Sequence, residues 1–204
     1  NIYLMSNNTT IRGTLTLGSN STLDVTSNLY PLTLRGNYIP NGELRHRKGV
    51  VNFEGHSNQF ISNNATFNRV VVNKPNGNVI IPAHKFRVNE LLFLIQGNIR
   101  TSLAYPKDPI ESATMGEVEI GEDGDIAQAS SNSFVDGRLT YFYRSSAIPV
   151  AKNFHIGKQN AGGYTLVPLR VRLTTAVPTR IRGEVFTFYS GATLPFTLVG
   201  NYVN

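Results

Sequence analysis

No cysteine occurs among the 204 residues of this chain. Its absence excludes disulfide-stabilised scaffolds, zinc sites with thiolate ligands and cysteine nucleophiles. No run of about 18 apolar residues is present, which excludes a helix that spans a membrane, and no stretch has the form of a secretory signal peptide. Because the sequence begins with Asn1 rather than Met, we expect a processed chain or a segment of a longer one.

Charged residues are also scarce, at 16% of the chain, whereas Thr, Ser and especially Asn are abundant. Helical proteins of this size normally contain more Glu, Lys, Ala and Leu, while β-branched, aromatic and turn-forming residues dominate here. The closest candidate for a helix, 88–95, is equally well interpreted as a buried strand. The composition therefore predicts an all-β protein, with one large domain or two smaller ones.

Alternating apolar and polar residues that end in glycine recur along the chain. Examples are L-T-L-G at 15–18, V-N-F-E-G at 51–55 and V-E-I-G at 118–121. The glycines of the repeat are Gly18, Gly36, Gly55, Gly77, Gly97, Gly121 and Gly137. A strand and turn that return about every 20 residues predict a β-solenoid resembling a parallel β-helix, in which each coil buries its apolar face against its neighbours.

Two features interrupt or end this repeat. Between residues 99 and 117 the alternation lapses, and two prolines in that stretch predict an inserted surface loop. From about residue 134 the expected strands are longer and more aromatic, with prolines at their ends. We therefore place a boundary within 130–137, between a β-solenoid repeat region over 1–133 and an antiparallel β-sandwich-like module over 134–204. This module would cover the exposed end of the solenoid.

Five short phrases follow one another in a set order. They are V-N-F-E-G at 51–55, F-N-R-V-V-V-N at 67–73, F-V-D-G-R-L at 134–139, F-H-I-G-K at 154–158 and Y-T-L-V-P-L at 164–169. Together with the glycine-punctuated strands, this order resembles large secreted surface proteins of the Bacteroidetes. The resemblance implies a long, modular protein that is exported by the type IX secretion route and displayed at the cell surface, in some cases as a gliding-motility adhesin.

The sequence departs from that family pattern in two places. His155 stands where the family usually has proline before Ile-Gly-Lys. The C-terminal sorting module expected on a complete exported protein is not evident after Tyr202. The second departure predicts a fragment, or a subunit that is anchored by other means.

Basic residues exceed acidic ones, with a net charge of +6 and a pI near 9.7. Such a balance favours contact with polyanions. The densest basic run is R-H-R-K at 45–48, in which Arg45, Arg47 and Lys48 are candidates for contact with an anionic polysaccharide. The alternative interpretation is a solvated turn between two strands.

Residues suited to catalysis or metal binding are present but not assembled into a recognisable site. The four histidines are spread singly, and we predict no metal site and no cofactor. Five carboxylates between residues 117 and 125 leave calcium binding open, although an ordinary acidic turn is favoured. Glycoside hydrolysis needs two carboxylates at a controlled separation. Asp24 and Glu54 would share a face of a solenoid, but nothing in the sequence selects them.

Aromatic residues are concentrated in the second half, for example as Y-F-Y at 141–143. Strand alternation places Tyr141 and Tyr143 on one face and Phe142 on the other. Outward tyrosines would be able to stack on glycans. The favoured alternative has Phe142 in the core and the two tyrosines at a half-buried interface between modules.

These observations predict a non-enzymatic structural or adhesion segment of a secreted or cell-surface protein, located outside the outer membrane. It would act as a rigid spacer with distributed polar and basic contacts. The expected partners are cell-surface or envelope proteins and anionic polysaccharide, with no nucleic acid. One alternative is a subunit or passenger of a larger cell-envelope assembly for secretion or motility, without a ligand of its own. A less favoured alternative is a polysaccharide-degrading β-helix enzyme.

Overall fold

The computed structural model of the chain describes residues 1–101, 115–144, 150–160, 163–173, 179–184 and 199–200. Every regular element in these ranges is a β-strand, so the predicted all-β class is confirmed. The described residues include no helix that is long and apolar enough to cross a lipid bilayer. Most of the predicted surface loop, residues 102–114, lies outside the described residues.

The strands are short near the N-terminus and longer further along the chain. They are β1 (Ile2–Leu4), β2 (Thr9–Ile11), β3 (Leu15–Leu17), β4 (Thr22–Asp24), β5 (Leu32–Leu34), β6 (Tyr38–Pro40), β7 (Glu43–Arg45), β8 (Val50–Glu54), β9 (Gln59–Phe60), β10 (Ala65–Asn73), β11 (Val79–Ile80), β12 (Lys85–Gln96), β13 (Ile99–Arg100), β14 (Glu117–Ile120), β15 (Asp125–Ala127), β16 (Val135–Asp136), β17 (Leu139–Tyr143), β18 (Val150–Asn160), β19 (Gly163–Leu173), β20 (Thr179–Gly183) and β21 (Val199–Gly200).

Parallel pairing between successive coils builds the sheets. The long sheet has the order β2-β5-β8-β10-β12-β14-β17, and a second sheet has the order β9-β11-β13-β16-β18. Two smaller parallel sheets, β1-β4-β7 and β3-β6, complete the first coils. The chain therefore forms a β-solenoid of about seven coils, as the repeat predicts.

The register of the long sheet sets the length of each coil. Leu32 pairs with Val51, Val51 with Val70 and Val70 with Leu92. These partners recur at the predicted period of about 20 residues, so that period is the length of one coil. The step from β12 to β14 is about half as long again, yet Phe86 still pairs in parallel with Val118.

Alternate residues of the long sheet face one continuous core. The inward-facing side chains, all buried, include Leu32, Leu34, Val51, Phe53, Val70, Val72, Leu92, Leu94, Val118, Ile120, Leu139 and Tyr141. The ring of Phe67 lies 5.7 Å from that of Phe53 and 5.0 Å from that of Phe86, so aromatic packing crosses from coil to coil. Residues 88–95 belong to β12, which confirms a strand rather than a helix, and Val88, Leu92 and Leu94 are its buried members in this stretch.

Glycine is required where the backbone of one coil approaches that of the next. A Cβ atom at Gly36 would lie 2.2 Å from the carbonyl oxygen of Gly13. Gly97 has a φ of 79°, and its Cβ would lie 2.4 Å from the carbonyl oxygen of Gly77. Glycine at these positions therefore allows the backbones of successive coils to approach each other closely.

The coils end in antiparallel strands. β19 pairs with β18, β20 with β17 and β21 with β20, so these strands extend the two solenoid sheets. A separate β-sandwich is not confirmed in the described residues. The change from parallel to antiparallel pairing also lies later than the predicted boundary within 130–137, because β16 and β17 still pair in parallel with β13 and β14.

Candidate functional site

The basic run lies at the end of β7 and in the turn that follows it. The Nε and Nη2 groups of Arg47 donate to the two carboxylate oxygens of Asp24 at 2.7 Å each. Asp24 is buried at the end of β4, and these bonds lower the pKa of its carboxyl to about 2. Arg47 therefore joins two coils, which limits its availability to an external polyanion.

The other two basic candidates are more accessible. The Nε group of Arg45 donates to Glu43 at 2.9 Å, and this bond lowers the pKa of the Glu43 carboxyl. The side chain of Lys48 is exposed and forms no ion pair with another described residue. The structure thus places Arg45, Arg47 and Lys48 at one corner. Within the described ranges, Arg45 and Arg47 are each bonded to a carboxylate, and Lys48 is not.

Both candidate tyrosines are core residues. Tyr141 and Tyr143 are 0% and 2% exposed, and their hydroxyls donate to the carbonyl oxygens of Asn153 and Val171 at 3.0 and 3.3 Å. Stacking of these rings on a glycan is therefore excluded. The predicted orientation is reversed, because Tyr141 pairs with inward-facing Ile120 and the strand register turns both tyrosines inward. They pack where the last coil meets β18 and β19.

Glu117 is buried beneath the antiparallel strand β20. Its carboxylate accepts hydrogen bonds from Arg180 and Arg182, both at 2.9 Å, and from the hydroxyl of Thr140. Burial alone would raise the pKa of Glu117, but the bonds from Thr140, Arg182 and Arg180 outweigh it and the pKa is lowered. This cluster joins β14, β17 and β20 and does not present its oxygens to solvent.

A cation–π contact reinforces the same junction. The guanidinium groups of Arg87 and Arg180 lie 4.8 and 5.5 Å from the ring centre of Phe142. Glu119 is likewise buried and accepts a bond from the ammonium of Lys85 at 2.8 Å. Phe142, the aromatic residue that was expected in the core, therefore packs against two arginines instead.

Of the remaining candidate carboxylates, Glu122, Asp123 and Glu54 also have cationic partners. Glu122 and Asp123 both pair with Arg144, and Glu54 pairs with Arg35 at 3.0 Å. Among the described residues, no group of three or more histidine, aspartate or glutamate side chains is arranged to hold a metal ion. Each member of the possible hydrolytic pair is bonded to an arginine, Asp24 to Arg47 and Glu54 to Arg35.

A buried lysine at a corner of the solenoid escaped the sequence analysis. Lys74 is fully buried, and its ammonium donates to Gln59 Oε1 at 2.7 Å and to the carbonyl oxygen of Glu54 at 3.1 Å. Gln59 in turn donates to the carbonyl oxygens of Leu34 and Gly36. Burial lowers the pKa of Lys74 to about 8. No local signal marks this lysine, because its acceptors come from earlier coils.

Asparagines connect the same corners from coil to coil. The Oδ1 atoms of Asn58, Asn78 and Asn98 accept hydrogen bonds from the backbone N–H groups of Asn78, Asn98 and Phe134, respectively, each at 3.0 Å. The Asn and Gly pairs at these corners indicate turns in the sequence. The recurrence of these asparagines once per coil was the available signal for the bonds between coils.

No protein-family model, no curated protein and no solved structure matches the sequence or the fold. The chemical capacity of this chain is therefore judged from its own residues. They form a regular stack of parallel strands, with exposed arginines in weak ion pairs and amide side chains at the corners.

Proposed function

We propose that this chain is a non-enzymatic structural or adhesion segment of a secreted or cell-surface protein, acting as a rigid spacer. The observation that supports the proposal most directly is the unbroken parallel pairing of the long sheet from β2 to β17. Each coil packs only on its neighbours, and bending the stack would separate strands in more than one sheet. Such a scaffold would hold the parts at its two ends a fixed distance apart, and this role needs no reactive centre.

Weak contacts along the surface would provide the adhesion. Exposed ion pairs such as Arg45–Glu43 contribute only about 0–1 kcal/mol, so an incoming polyanion can replace the internal carboxylate. Lys48 adds an exposed ammonium at the same corner. With a net charge of +6, these groups favour an acidic polysaccharide as the partner.

The non-enzymatic part of the proposal is supported by the state of the candidate carboxylates. A retaining or inverting glycosidase needs one carboxyl that gives up a proton and a second that acts as base or nucleophile. Asp24, with its pKa near 2 and its two bonds to Arg47, is unsuited to either exchange of protons or attack. Glu54 is held by Arg35.

Binding to alginate, an acidic polysaccharide, tests the adhesion proposal. We expect Lys48→Gln to weaken binding, and we expect the binding of the unmodified protein to weaken further as salt is added, because exposed charges are screened. Arg12→Gln removes one exposed charge from another coil and is the matched control. Equal losses in the two variants, or binding that is insensitive to salt, would contradict a contact at the basic corner.

A second candidate function is that of a subunit or passenger in a larger cell-envelope assembly. Ile2, Tyr3 and Leu4 on the edge strand β1 are 60%, 56% and 68% exposed. Unpaired strand edges with apolar side chains pair readily with other β-elements. Any such element, from this polypeptide or another, would cover them. Recovery from cells at a fixed stoichiometry with envelope proteins would favour this function, whereas a monomer that binds alginate would favour adhesion.

The proposed location outside the outer membrane depends on the resemblance to Bacteroidetes surface proteins. Export by the type IX route predicts that the intact protein is cleaved by protease added to whole cells. It also predicts that this cleavage stops when the secretion route is inactivated. Protection in both kinds of cell would contradict a surface location.

A further inference from the structure

An open groove runs across the corners of three coils, where the long sheet turns into the second sheet. Its volume is about 510 Å³, and it is formed by residues 74–78, 95–98, 130 and 132. None of these residues belongs to the basic run at 45–48. The size falls within the range of about 300–1,000 Å³ that is typical of ligand sites.

The groove exposes no charged side chain. Its lining residues include neither a carboxylate nor an arginine, and the one ionisable side chain among them is Lys74. That ammonium is fully buried and donates to Gln59 and to the carbonyl oxygen of Glu54. A charged ligand would therefore find no exposed counter-charge in the groove, even though the whole chain is strongly basic.

Several backbone groups along the groove are already paired. The N–H of Lys74 donates to the carbonyl oxygen of Gln96 at 2.9 Å, and the N–H of Gly97 donates to that of Asn132 at 3.2 Å. The N–H of Asn98 donates to Oδ1 of Asn78. An extended peptide that adds as a strand needs free backbone groups of this kind. We therefore expect a ligand in the groove to be bound mainly by side chains.

Those side chains are suited to hydroxyl groups. The side-chain amides of Gln96 and Asn132 form no hydrogen bond with another residue of the described ranges. An amide supplies both donors and an acceptor, and a hydroxyl also acts as both. Ile95, which is 42% exposed, adds an apolar side chain to the lining. A sugar ring combines hydroxyl groups with an apolar C–H face in this way.

We propose that the groove lined by Gln96, Asn132 and Ile95 binds an uncharged oligosaccharide. The amides hydrogen-bond to hydroxyl groups, and Ile95 contacts the C–H face of a sugar ring. This site is additional to the polyanion contact proposed above. Because it contains no exposed charge, binding there does not depend on salt, which separates the two sites experimentally.

Calorimetric titration with cello-, malto-, manno- and xylo-oligosaccharides tests the site, with an oligoguluronate of similar length as the acidic probe. We expect at least one neutral oligosaccharide to bind with an affinity that is unchanged at high salt. The double variant Gln96→Ala, Asn132→Ala should bind it at least tenfold more weakly, since two hydrogen bonds of about 1 kcal/mol each are lost. Both side chains are exposed, so circular dichroism should show an unchanged fold.

Two control variants separate this site from other surfaces. Asn8→Ala removes an exposed amide that is distant in sequence from the groove residues. Lys48→Gln alters the basic corner. Both should bind the neutral oligosaccharide as the unmodified protein does. The proposal is overturned if no neutral oligosaccharide of the panel binds, if the double variant binds equally well, or if only the acidic oligosaccharide binds.

Discussion

Lys74 predicts an unusual dependence of stability on pH. Its ammonium is fully buried among carbonyl and amide oxygens, and no carboxylate of the described residues forms an ion pair with it. Burial lowers the pKa of Lys74 from 10.5 to about 8, because the charged form loses its hydration. A difference of this size corresponds to about 3 kcal/mol of free energy against the ionised lysine in the folded state.

The sign of the effect follows from proton linkage. Between pH 8 and 10.5 the unfolded lysine keeps its proton while the folded one has lost it. The free energy of unfolding therefore rises with pH in that window. Relative to Lys74→Met, which keeps a similar shape without a titrating amine, the unmodified protein should gain up to about 3 kcal/mol across it.

Urea unfolding followed by far-UV circular dichroism, repeated at several pH values from neutral to 10.5, measures this gain. The pKa values of Tyr38, Tyr141 and Tyr143 are raised by burial, so both proteins should lose stability at the alkaline end of the series. That loss cancels in the difference between Lys74→Met and the unmodified protein. Lys48→Met removes an exposed lysine and is the control. A difference that stays flat or falls from pH 8 upward would refute the reasoning.

Two further predictions concern the junction with β20 and the close approach between coils. Glu117→Gln should destabilise the protein by about 1–3 kcal/mol at neutral pH, because the two arginines of β20 lose their buried carboxylate. The pKa of Glu117 is lowered from 4.5, so this difference between variant and unmodified protein should shrink in acid, as chemical unfolding at falling pH would show. Gly97→Ala should cost about 1–3 kcal/mol in thermal or urea unfolding, because alanine is strained at a φ of 79° and its Cβ would meet Gly77. Gly13→Ala, which meets no atom within 4 Å, is the control and should change stability much less.

The coil period was predictable because it depends on a short sequence pattern within each coil. Each coil repeats the same apolar alternation before a turn, so the step of about 20 residues appears in the sequence before any contact is known. The register then follows, since shifting Val51 by one residue against Leu32 would turn buried side chains outward. The solenoid itself therefore needed no information from distant residues.

Orientation at residues 141–143 was not predictable in the same way. The pattern Y-F-Y is apolar on both faces, so alternation alone does not decide which face is the core. The deciding contact is the pairing of Tyr141 with Ile120, which lies in another coil. The change of composition near residue 134 was real, but it marks longer strands that still continue the coils through β17.

The polar contacts of the interior depend on residues far apart in the chain. Glu117 meets Arg182, which lies 65 residues later, and Lys74 meets Gln59 of the preceding coil. In the sequence these are single charges among polar neighbours, typical of solvated strand faces or turns. Only the stacking of the coils shows that they face inward and find partners.

The long step between β12 and β14 has a consequence for how such a protein can change. Phe86 pairs with Val118 and Ile99 with Val135, so both ladders continue in parallel across the longest segment between paired strands of the solenoid. Extra sequence at this corner thus leaves the pitch of the scaffold intact. Natural variation or an engineer can lengthen, exchange or tag that segment, while the coils on either side keep their spacing.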